Sequence, residues 1–204
     1  MVANLATDIV HGAATVYIAP YGETIPADTV TYGTDWGGNW IKLGLTQEAV
    51  TLGMTQETTD IGAQEALLSI DRFVSGGDAF VETVMSQMTG DVLQYLMGGG
   101  GTLTTTAAGA DTYGKTEFVY GGKDHLVKYT VGIEGKQQDD DGTEWPVRFF
   151  LWRATLNFNG EMEFAKDREN GTGMPVRAQG HEDMTQTQGQ RWFKFQNITA
   201  VPTS

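Results

Sequence analysis

The sequence contains no cysteine. This excludes a disulfide scaffold and any thiolate metal site, so packing and backbone pairing alone must hold the chain together. Basic residues are scarce as well: 13 Lys and Arg stand against 26 Asp and Glu, a formal net charge of -13 with a pI of about 4.5. Such a chain repels phosphate backbones unless its few cations are gathered into a patch, which argues against sequence-specific nucleic-acid binding. No apolar run approaches the length of a bilayer span, and Met1 to Asp8 lacks the basic region and apolar core of an export signal. The expectation is a protein without membrane insertion, kept in the cytoplasm or released by lysis. Histidine is limited to His11, His125 and His181, with no pair at metal-ligand spacing. What the chain does have is glycine, at 27 of its 204 residues, which implies many turns and favours a β-rich fold. Its size fits one substantial core, and a single domain over residues 1–204 is expected.

A polar leader, residues 1–13, precedes a strand over Ala14 to Ala19, closed by Pro20 and Gly22. Trp36 and Trp40 then bracket Gly37-Gly38-Asn39 on a glycine-rich stretch, where they either fold back to cap the core or anchor a contact with another chain. Val50 to Met54 alternates as a strand, and the threonine-rich stretch Gln56 to Ala66 is too polar to pack inside, so it reads as an arm reaching away from the core. Leu67 to Val74 and Ala79 to Met88 predict two strands joined by Ser75-Gly76-Gly77-Asp78. Thr89 as N-cap, Asp91 in the first turn, and Val92, Leu93, Leu96 and Met97 on one side predict a short helix ended by Gly98. Residues 98–114 read as a long Gly/Thr/Ala surface loop. Strands over Glu117 to Tyr120 and Leu126 to Glu134 follow, then a polar segment from Pro175 to Gln190 and a final strand over Trp192 to Ile198.

The stretch Val147 to Lys166 predicts a central hairpin. Alternation puts Phe150, Trp152, Ala154, Leu156 and Phe158 on one face, with Phe149, Leu151, Arg153, Thr155 and Asn157 on the other. A two-residue Asn159-Gly160 turn would place Glu161 and Glu163 on the apolar face, so a three-residue loop with a bulge at Gly160 is expected, pairing Leu156 with Met162 and Thr155 with Glu163.

Catalytic and metal signatures are thin. Aligned on Gly142, the run Asp139-Asp140-Asp141 lacks an acid at Gln137 and a closing Glu at Arg148, so it fails as an EF-hand loop. Gly98 to Gly101 has no following Lys-Ser or Lys-Thr and comes after a helix where a phosphate loop precedes one. Ser69, Ser75 and Ser86 lie in no nucleophile motif, and His181-Glu182-Asp183 are adjacent residues that tend to point apart. Neither a cofactor nor a catalytic residue is expected.

Four segments follow one another along the chain: Val16-Tyr17-Ile18-Ala19-Pro20 with Gly22, Trp40-Ile41-Lys42-Leu43-Gly44 with Thr46 and Glu48, the passage from Phe80 to Leu96, and Arg148 to Ala154 leading into Phe164-Ala165-Lys166. In this order they resemble the major tail tube proteins of long-tailed bacteriophages with flexible, non-contractile tails. The resemblance implies a mainly β fold, a β-sandwich of the tail tube type with one short flanking α-helix and long loops. It also implies a virion protein, assembled in the host cytoplasm into hexameric rings that stack as a hollow tube, with tape-measure, tail terminator and distal tail proteins as partners. DNA would pass through without specific binding, which a surplus of carboxylates suits. A head-to-tail ring needs two different complementary surfaces on each subunit. The expected contacts around the ring are Arg153, Thr155 and Glu163, and those between rings are Trp36, Trp40 and Lys42 with the arm residues Gln56, Glu57 and Asp60.

Three other readings stand beside this one. A secretion-system tube ring or another virion component would share the ring but not the long tube. A sugar-binding β-sandwich would use Trp36, Trp40 and Trp145 as stacking platforms. An enzyme would assemble its site from Asp139, Glu144 or His181 and show perturbed titration in a cleft.

Overall fold

The computed structural model describes residues 10–62, 68–87, 89–122, 125–139, 141–162 and 173–199. It is mainly β, with antiparallel sheets in a sandwich-like arrangement and one short helix. The strands are β1 (Val10–Pro20), β2 (Ile41–Lys42), β3 (Thr51–Ile61), β4 (Asp71–Met85), β5 (Thr102–Thr106), β6 (Lys115–Val119), β7 (Tyr129–Gln138), β8 (Glu144–Phe158), β9 (Met174–Gly180) and β10 (Phe193–Asn197), with α1 (Gly90–Leu96) between β4 and β5. The main sheet runs β2-β1-β7-β8-β9-β4-β3, and β10 also pairs with β8; β5 and β6 form a separate two-stranded sheet.

The 15-residue β8 organises this order. One of its edges pairs with β7 from Glu144 to Ala154, while the other takes β10 along Val147 to Leu151 and then β9 along Ala154 to Phe158. The two halves of the sheet thus share β8 and close over one core, built from Val16, Ile18, Val131, Leu151, Ala154, Leu156, Met174, Val176, Val81 and Met85. Val92 and Leu96 of α1 join that core. Thr89 caps the helix as its sequence predicts, its hydroxyl accepting from the Val92 N–H at 3.3 Å.

The predicted hairpin is corrected by its partners. Leu156 lies opposite Ala178 and Thr155 opposite Gln179, so β9 lines one edge of the C-terminal half of β8, and Met162, the expected partner of Leu156, lies in no strand. Glu163, Phe164 and Lys166 lie outside the described residues. Parity also changes within β8. Tyr129 pairs with Ala154 but Val131 with Leu151, so β8 carries an extra residue at Trp152-Arg153, a β-bulge. Leu151 therefore joins Ala154 and Leu156 in the main core, and Phe150 turns to the opposite side, against Tyr17 and Trp36.

Four further expectations change. The first strand begins within the expected leader, at Val10. Leu67 to Val74 and Ala79 to Met88 are not two strands: Asp71 to Met85 is continuous, and its glycines sit in the ladder opposite Glu57 and Gln56, with one bulge at Ser75. Residues 98–114 contain β5, whose threonines pair along β6; β-branched side chains suit an exposed strand where periodicity in apolar residues is lacking. The polar segment from Pro175 contains most of β9, whose Met174, Val176 and Ala178 are buried. Arg177 and Gln179 alternate with them, so the period was present, hidden by a proline and a small alanine.

Candidate functional site

Around β1 and β7 a second cluster fixes the glycine-rich loop. Trp36 stacks on Tyr17 at 3.8 Å between ring centroids, meets Trp40 edge-on at 4.9 Å and Phe150 at 5.5 Å, and is only 6% exposed. Gly132 makes room for it: a Cβ there would lie 2.4 Å from the Trp36 ring. The Trp36 Nε1–H donates to Glu134 Oε1 at 3.1 Å, and Trp40 Nε1–H donates to the Thr24 carbonyl at 2.8 Å. The two tryptophans therefore cap the chain's own core, and Trp36 offers no platform for a sugar or a neighbouring subunit.

Beneath them lies a fully buried ion pair. Arg148 Nε donates to Glu134 Oε1 at 3.1 Å, with neither side chain exposed. Arg148 also donates to the carbonyls of Ala27 and Val30, at 3.2 and 2.5 Å, while Glu134 accepts from the Gly33 N–H at 3.1 Å and the Tyr17 hydroxyl at 3.4 Å. Burial, then the Glu134 charge, pushes the Tyr17 phenol far above its ordinary pKa, which keeps it a neutral donor. The pair pins the 27–36 loop to β7 and β8. Nothing in its sequence context announced it, beyond a charge at an inward position of each strand.

The expected ring contacts are partly occupied within the chain. Thr155 is 4% exposed and its hydroxyl lies 3.0 Å from His181 Nε2. Arg153 sits over the Tyr21 ring at 5.9 Å and donates to the Glu182 carbonyl at 3.5 Å. Asp183, 3% exposed, accepts from Tyr21 and Thr185; burial pushes its pKa up, but these hydrogen bonds outweigh that and hold it below the ordinary carboxylate range. Together these contacts order the 181–191 loop against β1 and β8.

The arm is where exposed side chains gather. Beyond Met54 and Ala79 the ribbon of β3 and β4 stands clear of the core, as expected for Gln56, Glu57 and Asp60, all of which are exposed. Asp60 is tied across the ribbon to Arg72 at 2.5 Å, and Lys42, on the body, pairs with Asp35 at 3.4 Å. What polar composition concealed is the apolar content of the arm: Ile61, Leu68, Ile70, Phe73 and Val74 are 46 to 83% exposed. Leu68, Ile70, Phe73 and Val74 belong to the segment read as a separate strand, Leu67 to Val74.

Among the described residues, no group of three or more His, Asp or Glu is placed to hold a metal ion, and no helix is long and apolar enough to cross a membrane. Asp139 accepts from Trp145 Nε1 at 2.5 Å, and Asp141 from the Thr143 N–H at 2.9 Å, which lowers the Asp141 pKa; both carboxylates are hydrogen-bonded within the connection between β7 and β8.

No curated protein matches the chain. A family model described as "Phage tail tube protein" matches residues 1–198, nearly the whole sequence. The chain belongs to the phage tail tube protein family, whose members are structural subunits of the tail tube.

Proposed function

We propose that this chain is the tube subunit of a long, non-contractile phage tail, closing into hexameric rings that stack into the conduit for genome ejection. The observation that carries the reading is the arm. A two-stranded ribbon standing alone in water is marginally stable, and this one exposes Ile61, Leu68, Ile70, Phe73 and Val74 on it. Exposed apolar side chains on a slender projection mark a surface that is covered by another molecule. In a tube protein the available molecule is a second copy.

On this reading the arm bridges successive rings, with Gln56, Glu57 and Asp60 in the contact and Lys42 on the body meeting a neighbour. Arg153, and Glu163 on the stretch after β8, serve contacts around the ring. The buried Trp36 and Thr155 and the half-buried Trp40 act behind the surface by fixing the loops that carry it. Tape-measure, tail terminator and distal tail proteins set the length and close the ends, with assembly in the host cytoplasm and the virion tail as destination. A net charge of -13 keeps DNA from sticking in transit, because phosphate contacts repeated ring after ring would hold it fast.

Negative-stain electron microscopy of the purified protein over a concentration series, paired with light scattering, tests this. Hollow tubes or stacked rings are expected, and replacement of residues 57–75 by a short turn should leave single rings or monomers. A protein that stays monomeric at every concentration, even with a tape-measure protein supplied as template, overturns the proposal.

A further inference from the structure

Three basic side chains gather around one rung of the main sheet, in a chain that is short of them. Tyr129 lies opposite Ala154 and Ala154 opposite Gly180, so the rung crosses β7, β8 and β9. Tyr129 and Ala154 face the main core. Arg153 and His181 are the next residues along, joined by the His181 N–H donating to the Arg153 carbonyl at 2.7 Å, and alternation turns both to the opposite face. The Thr155 hydroxyl, on that same face, holds the His181 ring by a 3.0 Å contact to Nε2. Lys128, just before β7, completes the group: its charge and that of Arg153 are both near enough to disfavour protonation of His181.

No carboxylate of the subunit answers this cluster. Among the described residues Lys128 and Arg153 form no ion pair, whereas Arg177 lies against Asp78 and Glu82, Lys136 against Glu144 and Arg148 against Glu134. The acids next to His181 are engaged elsewhere, Glu182 by Arg191 at 3.1 Å and Asp183 by the Tyr21 hydroxyl at 2.7 Å. With 26 acidic residues against 13 Lys and Arg, a basic cluster left unmatched calls for an anion from outside.

A matching surplus lies at the other end of the same two strands. The connection from Gln138 to Glu144 carries Asp139 and the exposed Asp141, and neither meets a cation among the described residues. β7 is 10 residues long, which at about 3.4 Å per residue separates the two ends by roughly 30 Å. They can meet only between copies. A net charge of -13 repels DNA, the other polyanion of a phage tail, and so favours a protein carboxylate as the occupant.

We infer that Lys128, Arg153 and His181 of one subunit receive Asp139 and Asp141 of the next copy. The inference rests on the tube reading and gives its Arg153 contact a partner. The two surfaces differ, so each docking leaves one basic and one acidic end free, and copies add head to tail until the ring closes.

Charge exchange tests this, read by light scattering and negative-stain electron microscopy at about 50 mM salt, where exposed charges are weakly screened. Arg153→Glu and Asp141→Arg should each raise the concentration needed for assembly at least ~tenfold, as one reversed pair implies. The two changes combined in one chain, or the two single variants mixed in equal amounts, should return it to within ~threefold of wild type, because the reversed charges then face each other. Arg153 also lies over Tyr21 and donates to the Glu182 carbonyl, so Lys128→Glu with Asp141→Arg repeats the exchange if Arg153→Glu lowers the thermal midpoint. Single variants that assemble like the wild type, or a combined variant as defective as its parents, overturn the contact and leave the tube reading standing; loss of DNA retention in the normally assembling variants would assign the cluster to phosphate instead. A wild-type chain that forms neither rings nor tubes, even with a tape-measure protein as template, removes the tube reading and the contact with it.

Discussion

Removal of the Glu134 carboxylate should be the most damaging single change to the body of the subunit. Glu134→Ala leaves the Arg148 guanidinium as an uncompensated charge with no exposure to water, and strands the Trp36 and Gly33 N–H groups that donated to the carboxylate at 3.1 Å. Losing one partner of a buried pair costs about 3–5 kcal/mol. Set against the roughly 5–15 kcal/mol that holds a typical domain together, this is a large fraction. With a urea m-value of about 2–3 kcal/mol/M, the unfolding midpoint should fall by about 1–2.5 M. The assay is urea denaturation of dilute protein followed by tryptophan fluorescence, which Trp36 reports from inside the perturbed cluster. Combining Glu134→Leu with Arg148→Met removes both charges, so the double variant should lose less than the sum of the two single losses. It will not return to wild type, because the Trp36 and Gly33 donors and the Ala27 and Val30 carbonyls remain unmatched. A single-variant cost below about 1 kcal/mol, or single effects that add within ~0.5 kcal/mol, refutes the claim that the two groups act as one coupled unit.

Gly132→Ala should destabilise by about 1–3 kcal/mol through overpacking alone, since the new Cβ would sit 2.4 Å from a Trp36 ring already held by Tyr17 and Glu134; a thermal midpoint unchanged within error would show that the ring has room to move. His181 is predicted to make stability fall with acid: burial first, then the nearby Lys128 and Arg153 charges, lower its pKa. The unfolded chain therefore takes up the proton first, near pH ~6.5, so the contribution is complete above that value and is lost as pH falls through the depressed folded pKa. Urea midpoints at pH 7 and pH 5 should drop further for the wild type than for His181→Gln, and equal drops would refute the assignment.

Local grammar carried well from sequence to structure. The Thr89 cap with Asp91 and the apolar Val92, Leu93 and Leu96 placed α1, because all the determinants of a short helix lie within one or two turns. The arm was legible from its polarity, for an unpacked ribbon needs no apolar face. The bulge at Trp152-Arg153 was not legible, since an extra residue leaves no mark in composition yet reverses every later side chain. Nor was the pairing of β8 with β9, which residues 159–173 separate from β8 along the chain.

The unbroken run of β4 has a mechanical consequence. It begins at the exposed Asp71 and ends at Met85, which is completely enclosed by the core, so the arm is a cantilever clamped deep inside the subunit. A load applied at its free end meets a break in the ladder at the Ser75 bulge, followed by Gly76 and Gly77, which carry no side chains of their own. Bending concentrates there, and the clamp beyond it, from Val81 to Met85, keeps its packing. In the proposed tube, a stack joined by such elements would curve along its length while each subunit stays rigid.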